Sequence, residues 1–137
     1  GKQAEQMRDS FPFPVYAIDY VDHERRMAQL YNAADAYVTP SLEDNLPNTI
    51  VEALSCGIPC VGFRIGGIPE MIDHEINGYL AQPRDAADLA TGINYVLRPE
   101  LSETLSQQAL KKALSAYGET NVANKYLHLY QQAIDRK

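Results

Sequence analysis

Two acids, a proline and an asparagine cluster where an apolar run gives way to a helical pattern, in Thr39-Pro40-Ser41-Leu42-Glu43-Asp44-Asn45-Leu46-Pro47-Asn48-Thr49-Ile50-Val51-Glu52-Ala53. Residues 36–39 predict a short buried strand, and Pro40 and Ser41 punctuate it. Pro47 suits the first helical turn, where its missing N–H is not needed. Backbone N–H groups near residues 45–49 are then expected to point toward the carboxyl end of the strand, where the helix dipole favours an anion. Asp44 is poor company for a phosphate, so it is expected to face hydroxyl groups beside one. Glu52 lies about one turn inside the helix. A phosphate flanked by two hydroxyl-binding carboxylates is the chemistry of a nucleotide sugar.

Each residue also has a plainer explanation. Glu52 alone reads as a surface glutamate stabilised by the helix dipole, Asn48 as a turn or cap residue, and Glu43 as a solvated neighbour of Asp44. In Gly66-Gly67-Ile68-Pro69-Glu70 the glycines let the backbone approach a ligand or turn sharply, while Pro69 and Glu70 fit a helix start. Arg64 either faces a phosphate or pairs with Glu70. His23, His74 and His128 are scattered and suggest neither a triad nor a metal site. Cys56 and Cys60 lack the further ligands that a closed metal site needs. They are expected to end a helix that Gly57 terminates and to open a strand as a small buried hydrophobe.

The elements that must position these residues alternate. Strand-like runs at 15–18, 36–39, 60–63 and, more weakly, 79–81 are separated by helical patterns, the first carrying Met27, Leu30, Tyr31 and Ala34 with Asp22 as its expected cap. Such alternation predicts a mostly parallel sheet with crossover helices. Ligands bind outside the carboxyl ends of such strands, which puts the loops at 40–48 and 64–69 on the functional edge. After Pro83 the pattern is helical throughout, over 84–137. Tyr126, Leu129, Tyr130 and Ala133 form an apolar stripe there whose expected role is core packing, with part of it left exposed as the alternative.

The chain has 137 residues, 45% of them apolar and 22% charged, enough for one domain with a core. A net charge of −6 argues against a nucleic-acid binder. No apolar run approaches the ~20 residues of a membrane span. The chain opens on Gly1 without a signal peptide, as expected of a piece cut from a longer protein.

The combined pattern Pro40-Ser41-x-x-Asp44-x-x-Pro47-Asn48-x-x-x-Glu52-Ala53 is continued by Leu54-Ser55-Cys56-Gly57-Ile58-Pro59-Cys60-Val61 and by Gly66-Gly67-Ile68-Pro69-Glu70-Met71-Ile72. With Asn77-Gly78-Tyr79-Leu80 and Pro83-Arg84-Asp85, it resembles the donor-binding half of the retaining glycosyltransferases of family 4, the glycosyl transferases group 1. The resemblance implies an α/β fold, the Rossmann-like C-terminal lobe of the GT-B architecture, truncated at its N-terminal side and occupying 1–137. It implies transfer of a hexosyl unit, with retention, from a nucleotide-diphosphate sugar to a glycan or lipid-linked acceptor held by an N-terminal lobe absent from the sequence. The chain alone is then expected to be inactive.

By the same resemblance Asp44 is the catalytic acid beside the sugar ring, in a place the family fills with glutamate. Glu52 accepts from the ribose hydroxyls, and Asn45 and Leu46 present backbone amides in a turn where the family often carries Gly-Phe-Gly. Pro47, Asn48, Gly66 and Gly67 complete the donor site. No cofactor, metal or nucleic-acid partner is implied. The setting is polysaccharide biosynthesis in the cytoplasm, or at the inner face of the membrane. The strand order 3-2-1-4-5-6 of doubly wound sheets would leave a gap between 15–18 and 36–39. Those strands are expected to pair directly or to be exchanged in a dimer. Two other readings compete: a nucleotide-sugar epimerase of the same fold, and a non-catalytic α/β module that binds sugar nucleotides or a partner. A nicotinamide oxidoreductase ranks low without a Gly-x-Gly-x-x-Gly turn.

Overall fold

The structure, a computed structural model, describes residues 10–18 and 20–135. The chain divides into two compact units, Gly1–Leu30 and Tyr31–Lys137.

In the first unit the expected strand at 15–18 does not form; the described residues there belong to no helix or sheet. Pro12 and Pro14 lead into the run without N–H donors for a ladder, and Tyr16 is 88% exposed, whereas a parallel strand is buried on both faces. Helix α1 (Glu24–Asn32) begins in this unit. Its first turn is closed by His23, not Asp22: the imidazole Nδ1 accepts the Arg25 amide at 3.2 Å, and the His23 carbonyl accepts from Arg26 and Met27.

The second unit is built on a three-stranded parallel sheet in the order β1 (Tyr37–Thr39), β2 (Cys60–Phe63), β3 (Gly78–Ala81). Val38, Val61 and Tyr79 stand in register on one face, covered by α4 (Ala86–Val96) and α5 (Pro99–Lys112) through Leu89, Ile93, Val96, Leu101 and Leu105. Cys60, Gly62 and Leu80 point to the other face, where Ile68 and Ile72 from α3 (Ile68–Met71) and the residue after it close over Gly62. All of β2 is buried, which explains its uninterrupted apolar sequence. Between the first two strands, α2 (Asn48–Ser55) buries Ile50, Ala53 and Leu54, the spacing of one helical face. Cys56 caps α2, Gly57 follows at φ +73°, and Cys60 is fully buried as a free thiol.

Local chemistry sets the remaining boundaries. Asp85 caps α4 by accepting from the Ala87 and Asp88 amides. Pro99 opens α5, and Lys111 and Lys112 close it, complementing the dipole. Lys112 also pairs with Asp73 at 2.9 Å. A π turn over Ala113–Tyr117 leads to α6 (Glu119–Asp135). The stripe of Tyr126, Leu129 and Tyr130 does not pack into a core: α6 buries none of its residues, and these three are more than half exposed. Amphipathic spacing states that a face needs cover without saying which surface covers it.

Among the described residues the sheet holds three strands and ends at β1, and the expected strand at 15–18 is not one of them. The outer edge of β3 is closed by two side chains and by the backbone of Glu75. The Leu80 amide donates to His74 Nδ1 at 3.1 Å, the Gln82 amide to Asp88 Oδ2 at 2.7 Å, and the Gly78 carbonyl accepts from the Glu75 amide. Tyr79 Oη donates to the other oxygen of Asp88 at 2.8 Å. These bonds, the Gln82 amide first, hold the Asp88 carboxyl below its ordinary range. The stability it contributes is therefore complete above the ordinary carboxylate pKa and is lost as pH falls through the lower folded value. Asp88→Asn is expected to flatten the decline of melting temperature between about pH 5 and pH 2. An unchanged acid slope in the variant would contradict this account of the edge.

Candidate functional site

The loops after β1 and β2 meet at the carboxyl edge of the sheet, and they meet backbone to backbone. Gly66, at φ +49°, lies against the Asp44 carbonyl, and Gly67 lies against the Asn45 carbonyl and the Leu46 side chain. A Cβ at either position would overlap the facing carbonyl oxygen. The two glycines are therefore required for space at both positions and for a left-handed conformation at Gly66. What their backbone approaches is the acidic loop itself.

That loop leaves β1 through a hydroxyl pair, Thr39 Oγ1 and Ser41 Oγ at 3.1 Å. Asp44 is half-buried, while Asn45, Leu46 and Asn48 are exposed. Pro47 is not inside the first helical turn, as its residue type suggested; it is the N-cap, with φ −66° and ψ 116°. An extended ψ at the cap turns the chain into α2, and the Pro47 carbonyl accepts the Ile50 amide at 3.0 Å. Asn48 is the first helical residue, and no side chain caps the turn. An uncapped first turn presents backbone N–H groups that water or an anion must satisfy.

Glu52 lies further along α2, on its exposed side. Its Oε2 accepts a hydrogen bond from Tyr31 Oη at 3.0 Å. Tyr31 is 6% exposed, and its ring meets Tyr37 edge-on at 5.9 Å between centroids. Burial first, and then the bond to Glu52, push the Tyr31 phenol well above its ordinary pKa, so it stays protonated as a donor. Burial likewise raises Tyr37 and Cys56, and the Glu52 charge adds to both shifts. Sequence reasoning placed Tyr31 in an apolar helical stripe and missed this contact. The available signal was the residue type, because a buried tyrosine hydroxyl needs a partner that phenylalanine would not.

Arg64, on the same sheet edge, does not pair with Glu70; among the described residues the ion pairs are Lys112–Asp73 and His74–Glu75. Its charge acts on Asp88 instead. No helix among the described residues is long and apolar enough to cross a membrane, and no group of three or more His, Cys, Asp or Glu side chains among them is placed to hold a metal ion.

The packing of the glycines separates a structural role from a purely ligand-binding one. Gly67→Ala is expected to destabilise the fold by about 1–3 kcal/mol through overpacking, and Gly66→Ala by at least as much because of its positive φ. Denaturant unfolding checks both. Wild-type stability with altered ligand binding alone would contradict the backbone contact.

The sequence profile of the glycosyl transferases group 1 matches residues 2–99. A D-inositol 3-phosphate glycosyltransferase of Saccharomonospora viridis is 32% identical over 109 residues, 79% of this chain and 25% of that protein. Sucrose-phosphate synthase of Thermosynechococcus elongatus superposes with a TM-score of 0.83 at 25% identity, over 99% of this chain and 35% of that one. Anabaena Alr3699/HepE in complex with UDP and glucose does so with a TM-score of 0.68 at 26% identity, over 77% and 29%. The chain spans 25% to 30% of the length of the first relatives it matches. Its sheet and flanking helices are consistent with the Rossmann-like C-terminal lobe of the GT-B fold. A profile match over most of the chain, with these likenesses in sequence and fold, shows that it belongs to the glycosyl transferases group 1.

Proposed function

We propose that this chain is the donor-binding part of a two-lobed, retaining glycosyltransferase of family 4 that moves a hexosyl unit from a nucleotide-diphosphate sugar to a glycan or lipid-linked acceptor. The observation that carries the reading is the junction at the carboxyl edge of β1 and β2. Two glycines hold the second loop against Asp44 and Asn45, beside a helix whose first turn no side chain caps. Ligands of open α/β sheets bind at that edge. The complex of Alr3699/HepE with UDP and glucose supports a nucleotide-sugar donor.

In this mechanism the bond between the anomeric carbon and the phosphate oxygen breaks, and the nucleoside diphosphate leaves with the electron pair. The acceptor oxygen bonds to the anomeric carbon on the face the leaving group vacates and gives its proton to the departing diphosphate oxygen. Charge grows on the departing diphosphate. Backbone N–H groups around Asn45, Leu46 and Asn48, fixed before the reaction, stabilise it without reorganisation. Pro47 supplies no N–H and sets the turn. Glu52 accepts from the ribose hydroxyls. Asp44 lies beside the sugar ring, where a carboxylate favours the positive charge that develops there. Transfer requires the acceptor to be held in the same geometry, which falls to a second lobe.

Kinetics of the whole protein test the assignment. Glu52→Gln is expected to weaken nucleotide-sugar binding and turnover at least tenfold, about 1.4 kcal/mol, because an amide is a poorer acceptor for a diol. Asp44→Asn is expected to lower turnover more than affinity for the free nucleoside diphosphate. Wild-type kinetics in the first variant, or equal losses of affinity and turnover in the second, would contradict the roles given to these acids.

A further inference from the structure

Glu52 stands on the exposed side of α2, where a glutamate ordinarily samples several rotamers. In this structure one of its oxygens is committed. Tyr31 Oη donates to Oε2 at 3.0 Å across 21 positions of sequence. The donor is itself rigid: Tyr31 is buried, and its ring packs edge-on against Tyr37 in β1. A buried hydroxyl bonded to one carboxylate oxygen favours one side-chain geometry, and the other oxygen is the one that would accept from a ligand.

We propose that Tyr31 is a positioning residue that orients the Glu52 carboxylate for recognition of the ribose diol of the donor nucleotide. The inference rests on the reading of Glu52 given above and adds a residue that contacts no substrate. Through this bond, discrimination between a ribose and a ribose without its hydroxyls depends on a phenol behind the carboxylate. Tyr31 therefore acts on the diol alone and has no effect on the diphosphate or the base.

The test is calorimetric binding to the whole protein of UDP and of 2′,3′-dideoxy-UDP, with GDP and its dideoxy counterpart in parallel. Tyr31→Phe keeps the ring that packs on Tyr37 and removes only the hydroxyl; its melting temperature is measured alongside. The variant is expected to bind the ribonucleotide about three- to tenfold more weakly, the usual net worth of one ordinary hydrogen bond. Its affinity for the dideoxy nucleotide should equal that of the wild type. Adding Tyr31→Phe to Glu52→Gln should cost nothing further, since the bond it would break is already altered. Equal weakening of both nucleotides, or none, overturns the proposal, because a purely structural role does not distinguish the sugars. If Glu52→Gln abolishes ribose discrimination while Tyr31→Phe retains it, Tyr31 loses its role and the donor site stands. If the wild-type protein binds neither UDP nor GDP, the donor-site reading fails and this inference fails with it.

Discussion

Two loops can share one corner of this sheet only because their backbones touch without side chains between them. Gly66 and Gly67 abut the carbonyls of Asp44 and Asn45, and that approach places the loop after β2 against the loop after β1. The arrangement depends on β1 and β2 being adjacent parallel strands whose carboxyl ends fall together, with Thr39 paired to Gly62. It also depends on Pro47, whose extended ψ starts α2 just beyond the contact. Insert a methyl group at either glycine and the acidic loop must move, taking the first turn of α2 with it.

Behind that corner lies a second layer of constraint. Ile50, Ala53 and Leu54 hold α2 to the unit, leaving Glu52 on the opposite side, where Tyr31 reaches it. The buried polar groups elsewhere follow the same economy. Asn77, fully buried, accepts the Asp73 amide and donates to the Met71 carbonyl, so the turn into β3 is satisfied internally. His74, Glu75 and Asp88 then occupy the outward-facing groups of β3. An edge filled in this way does not invite another strand, whereas the outer edge of β1 carries no such guard among the described residues.

What was legible in the sequence had local causes. The runs that became β1, β2 and β3 are short, apolar and bounded by Pro, Gly or Asn, and the helix periods from Ala86 onward match those found. The glycines in the second loop mark a close approach, and the fold brings Asp44 and Asn45 to them. Three features escaped local pattern, each for its own reason. Residues 15–18 have strand-like composition but form no strand among the described residues. The Tyr126 to Tyr130 stripe has the period of a core face but remains exposed. The Tyr31–Glu52 bond joins residues in different elements that no spacing rule connects. Pro47 is a smaller case, in which a preference for the first turn yielded by one position to the cap.

The central claim is that the backbone around Asn45 and Leu46 and the first turn of α2 receive the diphosphate of a nucleotide sugar, with Asp44 toward the sugar. A crystal structure of the whole protein with a bound nucleoside diphosphate tests it most directly. The account predicts diphosphate oxygens within hydrogen-bonding distance, about 2.7–3.2 Å, of backbone N–H groups at the start of α2, with the ribose toward Glu52. A nucleotide bound elsewhere, leaving this corner empty, would contradict it.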